Sequence, residues 1–107
     1  MQSINRSVAI IRPKRTFIKW ANWCSPDGRE FRSEYFLKEY STVVLMPKYF
    51  IVREARKYIN EHWEDIFKEE LQYWNSNEIW WPKDRSIKMF RQWFRVEFHS
   101  KVIDPVS

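Results

Sequence analysis

The chain has 107 residues, a formal net charge of +5 and 19% aromatic residues. That length suits a single domain, residues 1–107, and roughly two thirds of the unfolded surface is buried at this size, so the core needs no metal or disulfide. One glycine and one cysteine exclude glycine-rich phosphate loops, internal disulfides and thiolate-rich zinc sites before any element is placed.

In chain order, Val8-Ala9-Ile10-Ile11 is a short β-branched run that reads as a buried strand ending at Pro13. Pro13 suits a helix start, because its missing N–H is not needed there. Phe17, Trp20 and Ala21 follow at helical spacing with Lys14, Arg15 and Lys19 around them, which predicts a short amphipathic helix. Ser25-Pro26-Asp27-Gly28 is a turn. Residues 29–40 read as either helix or irregular. Thr42 to Met46 predicts a second buried strand, closed by Pro47.

The longest predicted helix carries Val52, Ala55, Ile59, Trp63, Ile66, Phe67 and Leu71 on one side. Its solvent side is assigned Glu61, Glu64, Asp65, Glu69 and Glu70, and Asn75-Ser76-Asn77 ends it. Trp80-Trp81-Pro82 is a stiff connector. Asp84 or Ser86 caps a further helix with Ile87, Phe90 and Trp93. Arg95 to His99 alternates polar and apolar as a half-buried strand. Asp104 to Ser107 reads as a frayed end. The fold class is therefore α+β: a small three-stranded sheet with three or four helices mainly on one face, in the order β-α-(α)-β-α-α-β. Helices between the strands allow crossovers and some parallel pairing. Pro13-Lys14, Pro47-Lys48 and Pro82-Lys83 recur at similar spacing, and read as helix-start punctuation rather than a repeat.

Two stretches carry a resemblance. Asn5 to Lys14 with Phe17 and Trp20 is similar to the start, and Trp81 to Arg85 with Phe90, Trp93-Phe94, Val96-Glu97 and His99-Ser100 to the end, of a family of short uncharacterised bacterial proteins. The resemblance implies a single-domain bacterial protein of unknown function. It brings no activity, cofactor or catalytic residue.

The chemistry is sparse. Cys24, His62 and His99 are too few for a structural zinc site, and His62 with Glu61, Asp65 or Glu69 reads as a solvated acidic helix face. Cys24 beside Trp23 reads as a packing residue; a Cys24–His99 nucleophile pair has no local signature. No catalytic motif is present, so the chain is read as a non-enzyme with no cofactor and no metal. Arg85, Arg95, Glu97 and His99 form the most site-like polar cluster, and a site near His99 is the enzyme alternative.

Charge is uneven: residues 1–57 hold 12 Lys/Arg against 5 Asp/Glu, and residues 58–107 hold 7 against 9. Surplus rings and this charge split point first to a protein-binding domain or to self-association. The second reading is nucleic-acid binding through Arg12, Lys14, Arg15, Lys19, Trp20 and Trp23, which interleave cations with rings. The N-terminus has no apolar signal segment and no apolar run nears ~20 residues. With a lone cysteine, this predicts a soluble, cytoplasmic protein without membrane contact.

Overall fold

The structure, a computed structural model, describes residues 1–25 and 40–106. The strands are β1 (Gln2–Ile4), β2 (Arg6–Pro13), β3 (Thr42–Pro47), β4 (Phe94–His99) and β5 (Val102–Asp104). The helices are α1 (Arg15–Trp23), α2 (Val52–Trp74) and α3 (Ile87–Trp93), with a 3₁₀ turn at Glu78–Trp80. The expected α+β class holds for these residues, with an antiparallel sheet of three strands and a two-stranded ribbon. The turn expected at residues 25–28 and the undecided segment 29–40 lie almost wholly outside the described residues.

Strand β2 takes the centre of the order β3-β2-β4 and pairs antiparallel on both sides. The expected parallel pairing does not occur among the described strands. β3 and β4 run in the same direction and are joined by a helical crossover through α2 and α3, but β2 lies between them. Alternation along β2 explains its place: Ser7, Ala9, Ile11 and Pro13 are buried, and Val8 and Ile10 are half-buried on the other face. A strand apolar on both faces is best protected between two others.

Pro13 does not open the helix. It ends β2, and Lys14 is the N-cap of α1. The Lys14 N–H donates to the Trp93 carbonyl at 2.8 Å, which continues the β2–β4 ladder by one pair beyond proline. Ser86, the second of the two expected caps, accepts from the Met89 N–H at 3.1 Å. Asp84 instead adopts φ 56°, the left-handed turn geometry that Asp tolerates better than most residues.

Of the end expected to fray, Asp104 closes a strand, β5, which pairs with β1 in the register Ile4↔Val102, while Pro105 and Val106 lie beyond it. Asn5, Arg6 and Ser7 oppose only Ser100 and Lys101 between this ladder and the Val8↔His99 pair. The extra residue is a bulge. The buried Ser7 hydroxyl fills it, donating to the Ser100 carbonyl at 2.8 Å and accepting from the Tyr49 N–H at 3.2 Å.

The core is a ring cluster on one face of the sheet. Phe94 packs against Phe17 of α1, Phe67 of α2 and Phe90 of α3, at centroid separations of 4.9, 5.5 and 5.4 Å. Tilted and edge-on contacts of this kind suit the ring quadrupoles. Phe94→Ala should therefore cost about 3–5 kcal/mol, much of the roughly 5–15 kcal/mol that holds a domain of this size. Phe50→Ala, at a ring 88% exposed, should change stability by less than about 0.5 kcal/mol. Urea unfolding of the two variants checks both expectations.

Candidate functional site

The polar residues singled out from sequence divide between two places. Arg12 and Arg95 are cross-strand neighbours on the face of the sheet opposite the ring cluster. Glu97 lies between them: Arg12 Nε donates to its Oε1 at 2.9 Å and Arg95 Nη2 donates to the same oxygen at 2.8 Å. The Arg12 hydrogen bond, helped by the charges of Arg12 and Arg95, holds the Glu97 carboxyl below its ordinary range. His99 Nε2 lies 3.8 Å from the other Glu97 oxygen. Arg85 does not join this group. It sits between the 3₁₀ turn and α3, donates to the Pro82 carbonyl at 2.9 Å and covers the Trp81 ring. Its place in sequence gave no sign that Trp81 and Pro82 would hold it there.

The basic and aromatic set is also divided. Arg12, Lys14 and Arg15 line an open depression with Pro13 and Arg95. Lys14 Nζ is tied to the Arg91 carbonyl at 2.8 Å. Trp20 is buried and its indole N–H donates to the Trp80 carbonyl at 2.9 Å. Trp23 is 68% exposed and packs edge-on against Trp80, but it stands about 12 Å along α1 from Arg15. Lys19 is exposed on α1. Of this set, Trp23 is the exposed ring and shares its side of α1 with Lys19 one turn away, apart from the depression of Arg12, Lys14 and Arg15.

Cys24 is buried, and burial raises its thiol pKa, the reverse of what a nucleophile needs. His62 stacks on Tyr58 at 4.1 Å. Among the described residues no group of three side chains is arranged to hold a metal ion, and no helix is long and apolar enough to cross a membrane.

The feature that sequence reading missed lies along β4. Phe94, Val96 and Phe98 point to the helices, and with Ile59 of α2 and Phe90 of α3 they line a half-open groove of about 220 Å³. Arg56, Asn60 and Arg91 complete its lining, and Arg91 Nη2 donates to Asn60 Oδ1 at 3.1 Å. Among the described residues no carboxylate lines it. The alternation of residues 94–99 announced a half-buried strand, but that its apolar side stays partly open depends on how far the helices reach.

Glu70 corrects a second expectation. It was placed on the solvent face of the long helix, yet it is only 2% exposed. It follows Ile66 by one turn and precedes Leu71, both buried, so it shares their side of α2. Tyr40 donates to Glu70 Oε2 at 3.0 Å, and Thr42 also bonds the carboxyl. Burial raises the Glu70 pKa, and burial raises that of Tyr40 to about 12.

Compared with known proteins, the chain matches no family model, no curated protein and no solved structure.

A raised carboxyl pKa means that the fold disfavours the ionised form. The penalty is absent below the ordinary value of 4.5 and grows as pH rises through the folded-state pKa. Glu70→Gln keeps an acceptor for Tyr40 and removes the charge. It should be more stable than wild type at neutral pH, with the difference closing as pH falls towards 4.5. Denaturant midpoints across pH measure this.

Proposed function

We propose that this chain is a small protein-binding module that docks its partner along the β4 side of its sheet. The observation that carries the reading is the half-open apolar groove of Ile59, Phe90, Phe94, Val96 and Phe98, set beside a strand edge with no partner among the described residues. At about 220 Å³ the groove is smaller than the roughly 300–1,000 Å³ of a small-molecule site. It suits a few side chains of a protein better than a substrate. Non-catalytic binding is also favoured by the buried thiol of Cys24 and by Glu97, whose carboxylate is already engaged by two guanidinium groups.

Nucleic-acid binding is the weaker reading. The depression of Arg12, Lys14, Arg15 and Arg95 supplies phosphate-binding chemistry, but Trp20 is buried and Trp23 stands about 12 Å along α1 from Arg15, so among the described residues no stacking ring adjoins it. A lone buried cysteine fits a reducing, cytoplasmic setting. The resemblance of the two ends to short bacterial proteins adds no activity to this reading.

A photo-crosslinking side chain placed at Asn60, on the groove rim, tests the proposal in cells that make the protein. Discrete protein adducts should form from Asn60 and be absent from a control at the exposed Lys83. Adducts to nucleic acid, or equal adducts from both positions, would overturn it.

A further inference from the structure

The docking reading gains a specific chemistry from the hydrogen-bond phase of β4. We infer that β4 accepts an extended, acidic segment of a partner protein as an added strand, with the partner's alternate apolar side chains entering the groove. This rests on the reading above and adds the mode of binding and the partner's character.

The phase follows from one bond. Ladder bonds of an antiparallel pair join every second cross-strand pair. The Lys14 N–H to Trp93 carbonyl bond fixes the bonded pairs as Arg12↔Arg95, Ile10↔Glu97 and Val8↔His99 within the observed register. The backbone groups of Arg95, Glu97 and His99 therefore face β2. Those of Phe94, Val96 and Phe98 face the outer edge. The Phe94 N–H caps α3 by donating to the Phe90 carbonyl, which leaves Val96 and Phe98 to offer both N–H and C=O. No described strand takes them.

The same residues set the side-chain pattern. Val96 and Phe98 point into the groove, so partner residues paired with them also point there, towards Ile59 and Phe90. Intervening partner residues lie on the opposite face beside Arg95, Glu97 and His99. This is strand addition, in which main-chain bonds supply affinity and alternate pockets supply selectivity.

Charge selects the occupant. Arg56 and Arg91 flank the groove and Arg95 is exposed on the other face. The nearest carboxylate of the strand, Glu97, is already shared by Arg12 and Arg95. With its apolar residues in the groove, a partner strand presents its Asp or Glu residues on the opposite face, to Arg95 and the adjoining depression of Arg12, Lys14 and Arg15. A second copy of this chain is a poor occupant, because pairing β4 with β4 brings two sets of Arg56, Arg91 and Arg95 together.

The test uses the full chain and synthetic peptides of about eight residues, a typical strand length, alternating Ile with Glu or Ile with Lys. Fluorescence anisotropy should show the Glu peptide binding at least about tenfold tighter than the Lys peptide, with Arg95→Glu reversing the order. Amide exchange followed by NMR should slow at Val96 and Phe98 when the Glu peptide is added. Val96→Pro removes one outward donor without touching the β2 ladder and should abolish binding; the exchange measurement on wild type decides the matter if that variant does not fold. Equal binding of both peptides, or binding that leaves Val96 and Phe98 exchange unchanged, overturns the inference. So does dimerisation without peptide that protects these two amides. If Asn60 yields protein adducts but no Glu peptide binds, strand addition fails and the docking reading stands. If the Glu peptide binds and protects β4 while Asn60 yields none, strand addition at β4 stands and what fails is the expectation that those cells hold a protein partner for the groove.

Discussion

Phe94 is the residue on which the rest of the structure depends. Its N–H closes the last turn of α3, and its backbone begins β4 with no intervening loop. Its ring meets rings from all three described helices. A single side chain therefore fixes where α1, α2 and α3 rest on the sheet. Because Phe94 stands at one end of β4, the helices converge there. Val96 and Phe98, farther along the strand, remain only partly covered. The groove is thus a consequence of where the core is anchored.

An open strand edge beside apolar rings invites uncontrolled pairing, and soluble proteins blunt such edges with charge, bulges or proline. This chain has a bulge where β1 gives way to β2 and arginines along the β4 side. In the proposed strand addition, the arginine charge that disfavours a second copy is the same charge that favours a carboxylate. A guard made of proline within β4 would have closed the edge to every strand alike.

Much of the fold was legible because it rests on local patterns. The β-branched run at Val8 to Ile11, the three-four spacing from Val52 to Leu71 and the stop at Asn75 are properties of neighbouring residues. They locate β2 and α2 closely. What was not legible depends on distant partners. Gln2–Ile4 and Val102–Asp104 are too short to register as strands until each supplies the other's hydrogen bonds. Glu70 has the composition of a solvent residue, and only the approach of Tyr40 and Thr42 gives its carboxylate donors in a buried place. Arg85 and Arg95 are close in sequence yet separate in space, because Arg85 is held over Trp81.

The separation of rings from cations bears most on function. Composition counts Trp20 and Arg15 as members of one basic, aromatic segment. A helix turns them to different sides, and Trp20 spends its N–H on the Trp80 carbonyl within the fold. Stacking a base needs a free ring face beside a phosphate-binding cation, and burying the ring removes that face whatever the charge nearby. Strand addition makes a lighter demand. It needs backbone groups at an edge, a place for alternate side chains, and a charge to choose among partners. Val96 and Phe98 provide the first two in the same residues, and Arg95 with the adjoining Arg12, Lys14 and Arg15 provides the third. The arrangement of β4 thus meets every requirement of one mode of recognition, while the depression of Arg12, Lys14 and Arg15 stands about 12 Å along α1 from the exposed Trp23 ring.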